Sequence, residues 1–293
     1  MFVENLIGNT PIVEIRRINT NPNVKVYCKL EGQNPGGSVK DRAAFGMISE
    51  ALKRGDIRKG DKLVEATSGN TGIALAMISK LLGVEMHLLM PDSATIERVK
   101  AMEAYGAKVI LTPAEKTIEH SRKVAEEMAA SGEYFMLNQF SNPDNYGMHY
   151  KTTGPEIWKD TKEKITHFVS AMGTTGTITG VSRKLKEVNN SIQIVGVQPC
   201  DGSQIPGIRK WIEPYIPPIR KKAKIDQIEE ISQEEAEEMA RRLALEEGIF
   251  CGPSGAGALC VALRIAEGLR NACLVFIVCD RGDRYLSQNL FPE

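Results

Sequence analysis

The sequence predicts an α/β fold with mainly parallel sheets, divided between two domains. Three observations carry that expectation. Short β-branched and apolar runs alternate with longer segments of helical periodicity. Gly/Ser/Thr-rich loops stand in strand-to-helix turns, where parallel sheets place ligands. The length of 293 residues accommodates two domains at about 150 residues each.

The elements follow in order. Segments 24–30, 62–66, 86–90, 108–111, 134–137, 167–171, 193–197 and 274–279 read as strands. Segments 39–54, 71–82, 94–105, 117–130, 175–188, 233–247 and 256–269 read as helices. Ser232 and Glu235 make a capping box opening the helix at Gln233, and Ser38 is placed to cap the helix at Val39. The least regular stretch, 199–224, holds Pro206, Pro214, Pro217 and Pro218 and reads as a long loop. Its basic cluster, Arg220, Lys221, Lys222 and Lys224, reads as a solvated surface segment. A change of domain near residue 140 follows from length and from the separate glycine loops, since no linker composition marks it.

Composition excludes several classes of function. Lys plus Arg is 37 and Asp plus Glu is 37, a balance that argues against a dedicated nucleic-acid binder. The longest clean apolar run, 272–279, is far short of the roughly 20 residues that span a bilayer. The start MFVENLIGNTP has Glu4 and no basic leader, so no signal peptide is expected. The six cysteines (Cys28, Cys200, Cys251, Cys260, Cys273, Cys279) form no CxxC pair and read as free thiols of a cytoplasmic protein. The four histidines (His87, His120, His149, His167) lack metal-ligand spacing, so no metal is expected.

Three loops have the composition of anion sites. They are Thr67-Ser68-Gly69-Asn70-Thr71-Gly72, Gly173-Thr174-Thr175-Gly176-Thr177 and Gly252-Pro253-Ser254-Gly255-Ala256-Gly257. Glycine lets backbone N–H groups approach an anion, a helix N-terminus adds positive partial charge, and hydroxyls add donors. Taken singly, each loop is equally readable as a tight turn. Together they suit a cofactor phosphate and a substrate carboxylate. No Walker A motif occurs, and Cys260 stands where a dinucleotide fingerprint beginning at Gly255 needs its third glycine. In Asn34-Pro35-Gly36-Gly37-Ser38-Val39-Lys40-Asp41-Arg42, Lys40 falls in a first helical turn. The helix dipole disfavours a cation there and favours the neutral, nucleophilic amine. Lys40 is thus readable as a Schiff-base lysine for an aldehyde cofactor or as a solvated lysine that tolerates its position.

At this point the chain resembles a known family. The three segments around Lys40, Asn70 and Thr175 occur together and in this order in the cysteine synthases. These are pyridoxal 5'-phosphate enzymes of the cysteine synthase/cystathionine β-synthase family, with the tryptophan-synthase-β-like fold (fold type II). Ile7-Gly-Asn-Thr-Pro11 and Lys151-Thr-Thr-Gly-Pro-Glu-Ile-Trp158 also resemble segments of these enzymes, so the likeness runs from end to end. Pro206-Gly-Ile-Arg-Lys-Trp211 and Cys279-Asp-Arg-Gly-Asp-Arg-Tyr-Leu-Ser287 resemble segments of the B-type members. Two departures stand out: Lys210 replaces a second arginine, and the loop at Ser254 lacks a second serine after it.

The resemblance implies two three-layer α/β domains: a small mobile domain over 35–142 that closes on the substrate carboxylate, and a larger phosphate-binding domain of 1–34 and 143–293. It implies that Lys40 carries the cofactor and acts as base and acid at Cα. Asn70 would bond the cofactor's phenolic oxygen. Gly173, Thr174, Thr175, Gly176 and Thr177 would hold its phosphate, and Ser254 would meet the pyridine nitrogen. Thr67, Ser68, Asn70, Thr71 and Gln139 would bind the substrate carboxylate. The implied reaction is β-replacement through an α-aminoacrylate, with ping-pong kinetics. It makes L-cysteine or S-sulfocysteine from O-acetyl-L-serine and sulfide or thiosulfate. Arg209, with Lys210 and Arg281, would steer an anionic sulfur donor. The family also implies a homodimer, and the B-type likeness makes serine acetyltransferase a less expected partner.

The alternatives are an O-phosphoserine-dependent cysteine synthase, in which Arg209 recognises the phosphate, and a cystathionine β-synthase-type β-replacement. A serine or threonine dehydratase usually carries a histidine where Asn70-Thr71-Gly72 stands. A nicotinamide oxidoreductase lacks its fingerprint here, and a non-catalytic binding protein would have no use for Lys40.

Overall fold

The computed structural model describes residues 2–288, 290 and 291. In chain order the first elements are β1 (Ile12–Ile15), β2 (Val24–Leu30), α1 (Lys40–Arg54), β3 (Lys62–Ala66), α2 (Asn70–Leu82), β4 (Glu85–Pro91), α3 (Ile96–Ala104), β5 (Lys108–Thr112), α4 (Thr117–Ala130) and β6 (Tyr134–Met136). They are followed by α5 (Pro143–Lys151), α6 (Thr153–Asp160), β7 (His167–Ala171), α7 (Gly176–Val188), β8 (Gln193–Pro199), β9 (Gln227–Ile231), α8 (Gln233–Arg242), α9 (Pro253–Glu267) and β10 (Ala272–Val278). The chain divides into two compact units: Lys40–Asn145 with the N-terminal residues to Ile7, and Gly8–Val39 with everything from Tyr146 onward.

The first unit is built on a four-stranded sheet in the order β5-β4-β3-β6, parallel throughout. Its central strands β3 and β4 are buried on both faces, the pattern parallel sheets require, while the edge strands β5 and β6 keep exposed residues. On one face Leu63, Met86 and Leu88 pack against Ala44, Met47 and Ile48 of α1 and Leu75 and Ile78 of α2. On the other, Val64, Ala66 and Leu89 pack against Ala125 of α4.

The second unit holds a six-stranded sheet in the order β1-β2-β10-β7-β8-β9, antiparallel only between β1 and β2. Strand β10 is buried along its whole length. Its side chains alternate between two cores: Leu274, Phe276 and Val278 face Ala256, Leu259 and Val261 of α9, while Val275 and Ile277 face Ile178, Val181 and Leu185 of α7.

Four local differences from the sequence reading have physical causes. Strands β1 and β9 lie at the two edges of the second sheet and keep several exposed residues, so neither reads as a continuous apolar run. Helices α5 and α6 went unpredicted because α5 opens on Pro143 and α6 carries Gly154 and Pro155 in its first turn, where proline is tolerated. Helix α8 changes at Leu243 to a π-turn over Leu243–Glu247, and Glu247 then accepts the backbone N–H groups of Arg16, Arg17 and Ile18 at 3.0, 2.5 and 2.9 Å. Helix α1 begins at Lys40 rather than Val39, and Ser38 lies in an antiparallel bridge with Asp280. The Ser232 capping box forms: its hydroxyl accepts from the Glu235 N–H at 3.2 Å and Glu235 accepts from the Ser232 N–H at 3.0 Å.

Candidate active site

In the first unit the candidate residues gather at the carboxyl ends of two neighbouring strands. Strands β3 and β6 are parallel partners, so the loops that leave them lie side by side. Strand β3 leads through Thr67, Ser68 and Gly69 into α2, which Asn70 opens. Gly69 stands at the helix N-cap with no side-chain cap, and the Gly72 N–H donates to the Gly69 carbonyl at 3.0 Å, which closes the first turn. Strand β6 leads to Gln139, which is buried. The Thr71 hydroxyl donates to Gln139 Oε1 at 2.9 Å. That bond uses the Thr71 side-chain proton, so a carboxylate would meet Thr71 at its backbone N–H. With its oxygen occupied, the Gln139 amide keeps donor capacity at Nε2, which suits a carboxylate. Lys40 is the first residue of α1, half-buried, in the position its sequence context suggested.

The second unit holds the other loops, again at strand carboxyl ends. Strand β7 runs into Gly173 through Thr175, and α7 begins at Gly176. Its partner β8 leads into the long loop with Pro206 to Trp211. The two loops are tied together. The Arg209 N–H donates to the Met172 carbonyl at 2.9 Å, and Trp211 Nε1 donates to the Gly173 carbonyl at 2.7 Å. A Cβ on Gly173 would stand 2.6 Å from the Gly207 carbonyl oxygen, so only glycine permits this approach. Ser254, in the first turn of α9, is buried, and Gly207 lies against it. Thr175 takes the left-handed conformation at φ 70°, uncommon for a threonine, with 3% of its surface exposed. Its Oγ1 is buried and has no hydrogen-bond partner among the described residues.

Other side chains support this second set of loops. Buried His149 contacts Thr177 Oγ1 through Nε2 at 3.3 Å and Thr153 Oγ1 through Nδ1 at 2.9 Å. Upstream of Lys40, the Asn34 side chain accepts the Gly8 N–H at 2.8 Å and donates to Glu31 Oε2 at 2.9 Å, and Glu31 also accepts from the Thr10 hydroxyl at 2.7 Å. Gly8 and Thr10 are therefore bound to the Glu31–Asn34 stretch that leads into the glycines at 36 and 37. Lys29, fully buried, donates to the Thr10 carbonyl at 2.7 Å and pairs with Glu156 and Asp160 at 2.9 Å each. The Val39 N–H donates to the Cys279 carbonyl at 2.8 Å, fixing the chain to the end of β10.

Three comparisons with known proteins bear on these loops. A model of the family described as "Pyridoxal-phosphate dependent enzyme" matches residues 3–280. The chain belongs to the pyridoxal-phosphate-dependent enzyme family. Cysteine synthase B of Escherichia coli is 56% identical over 291 residues, 99% of this chain and 96% of that one. Cysteine synthase B of Pseudomonas aeruginosa is 53% identical over 289 residues, 99% of this chain and 97% of that one. The crystal structure of cysteine synthase from Entamoeba histolytica superposes with a TM-score of 0.94 at 37% identity, covering 100% of this chain and 90% of that one.

The loops of this chain fit the family's cofactor. A buried threonine hydroxyl without a partner among the described residues, a glycine pressed against a carbonyl and the N-terminus of α7 are features that would suit a phosphate. Of the residues put forward as donor-anion ligands, Arg209 is exposed, with its guanidinium 6.0 Å from the Trp211 ring. No carboxylate pairs with it among the described residues. Lys210 differs: Asp201 and Glu230, each at 2.7 Å, hold its ammonium and push its pKa up, so its charge is already met. Arg281 lies against Asp283 at 3.2 Å. Burial pushes the Cys28 and Cys260 thiols up to about 12 and Cys273 to about 11, which makes them poor nucleophiles at neutral pH.

The sequence reading missed Glu65, Asn145, His149 and the anchoring bond of Trp211. None carries a motif of its own. Only burial and contact reveal them.

Proposed function

We propose that this chain makes L-cysteine from O-acetyl-L-serine and a sulfur nucleophile, sulfide being the simplest, by β-replacement. The observation that carries the reading is the phosphate cradle at Thr175, present in a chain more than half identical to proteins named cysteine synthase B. Pyridoxal phosphate supplies an aldehyde that captures an amino group and a conjugated ring that takes up the electron pair released at Cα.

The chain's own residues do the rest. Gly173, Thr174, Thr175, Gly176 and Thr177 bind the phosphate through backbone N–H groups, hydroxyls and the α7 dipole. Asn70 bonds the phenolic oxygen. Ser254 meets the pyridine nitrogen with a hydroxyl, which does not enforce protonation as a carboxylate would. With the cofactor bound, that would limit electron withdrawal into its ring and would favour loss of a β-leaving group over other outcomes. Lys40 Nζ holds the cofactor, removes the proton from the substrate Cα and later returns it. Thr67, Ser68, Asn70, Thr71 and Gln139 orient the substrate carboxylate. The first unit is the one that moves, and its closure on the carboxylate excludes water from the reacting Cβ. The protein works as a homodimer in the cytoplasm.

Arg209 supports two finer readings, an anionic sulfur donor such as thiosulfate or a phosphorylated substrate, because its charge has no carboxylate partner among the described residues while that of Lys210 does. Cysteine formation with sulfide, compared between O-acetylserine and O-phosphoserine, tests the proposal. Faster turnover of O-acetylserine supports it. Faster turnover of O-phosphoserine, abolished by Arg209→Ala, replaces it with the phosphoserine reading.

A further inference from the structure

Strand β3 carries one residue that the chemistry above does not use. Glu65 is 2% exposed, in a strand otherwise apolar beyond Lys62. A carboxylate at that depth is costly unless donors meet it. Here two backbone donors do. The Asn138 N–H donates to Glu65 Oε2 at 2.9 Å, and the Gln139 N–H also bonds to this carboxylate. Burial pushes the Glu65 carboxyl up to about 7, while the two N–H donors and the charge of Arg122 on α4 pull it down. Leu88 lies beside it on β4. The other titratable groups on strands packed against β3 sit toward the strand's far end: Glu85 and His87 on β4, bonded to each other, and Tyr134 on β6.

The grip falls on an unusual piece of backbone. Asn138 has φ 52°, a left-handed turn that brings two successive N–H groups toward one acceptor. Gln139 is then held at two further points. Its carbonyl accepts from Asn145 Nδ2 at 2.7 Å, and its Oε1 accepts from the Thr71 hydroxyl at 2.9 Å. Glu65 thus ties the strand that leads to Thr67–Thr71 to the turn that carries Gln139.

We infer that Glu65 is a positioning residue for the substrate's carboxylate site: it acts through Gln139, holding the 138–139 turn so that Gln139 and the start of α2 form one preorganised edge. The inference rests on the proposed carboxylate role of those residues. It concerns affinity for the amino acid, not attachment of the cofactor, because none of these bonds involves Lys40 or the phosphate cradle.

The test is a double-mutant cycle on the cofactor-loaded protein, reading the dissociation constant of L-serine from cofactor absorbance. Glu65→Gln keeps the shape but replaces one of the two acceptor oxygens with an NH2 donor and removes the charge. It should weaken L-serine binding about tenfold, with cofactor affinity unchanged. Gln139→Ala should do the same, and the double variant should be no worse than Gln139→Ala alone. Steady-state kinetics should show the loss in KM for O-acetylserine, with kcat within about twofold. Should Glu65→Gln fail to fold, Glu65→Asp, which keeps the charge and shortens its reach, goes through the same cycle. Unchanged L-serine binding overturns the inference, as do fully additive losses, which would mean that Glu65 does not act through Gln139. A wild-type protein that ignores every amino acid overturns the proposed function as well; a normal wild-type response with an unaltered variant overturns the positioning role alone.

Discussion

The two units hold their halves of the candidate chemistry by different means. In the second unit the candidate phosphate loop is held mainly through its own backbone groups, with His149 on the Thr177 hydroxyl as a side-chain contact. Gly173 sits against the Gly207 carbonyl, the Arg209 N–H and Trp211 indole bond to residues 172 and 173, and the buried Thr175 hydroxyl has no hydrogen-bond partner among the described residues. In the first unit the carboxylate loop is fixed by side chains: a buried carboxylate, an asparagine, and a threonine paired with a glutamine. Backbone packing makes a rigid receptor for a group bound throughout turnover. A side-chain network gives a receptor that a substrate can complete in each cycle. The two halves should therefore fail differently.

The largest effect is expected at Lys40. Lys40→Ala should lower turnover at least about 1,000-fold. A cofactor-binding titration should show the phosphate still bound, noncovalently, and ordinary turnover by this variant would break the account of both halves. Next comes pH. The folded Glu65 carboxyl is raised from 4.5 to about 7, so its protonated form is favoured by folding. Its contribution is fully present below about 4.5 and is lost as pH rises to about 7, levelling off above. Thermal melts from pH 4.5 to 8 should show the wild type losing on the order of 3 kcal/mol relative to Glu65→Gln across that window. Parallel curves would remove the buried charge from the comparison.

Gly173→Ala sharpens the phosphate side. The new methyl meets the Gly207 oxygen, an overpacking of about 1–3 kcal/mol, so cofactor affinity should fall roughly 10- to 100-fold by absorbance titration. The smallest effect is Trp211→Phe, which removes one hydrogen bond to Gly173, about 0.5–1.5 kcal/mol. Cofactor affinity should drop a few-fold while KM for O-acetylserine holds. A change in KM instead would place Trp211 at the substrate.

Much of this architecture is legible in the sequence, for reasons that residues show. Strands β2, β3 and β7 have the predicted limits because each is a short stretch with an apolar centre bounded by turn-forming or polar residues. The loops at Asn70 and Thr175 follow strands as expected because glycine and hydroxyl residues favour the tight turns that end strands. Strand β9, QIEEI, went unread because only its last residue is buried. Glu65 and His149 went unread because a charged or polar residue in a regular element looks like surface until its burial is known. The Thr71–Gln139 bond joins residues 68 positions apart, and only the pairing of β3 with β6 brings them together.

The most direct test of the central claim is one titration of cofactor-loaded protein. O-acetylserine is added without a sulfur donor while the near-UV and visible spectrum is followed, in wild type, Gln139→Ala and Trp211→Phe. The account predicts a saturable shift in all three, discharged by sulfide, with the half-saturation concentration raised about tenfold in Gln139→Ala and unchanged in Trp211→Phe. A wild-type spectrum that does not respond to O-acetylserine would contradict the proposed function, and equal half-saturation in Gln139→Ala and wild type would contradict the division of labour between the two units.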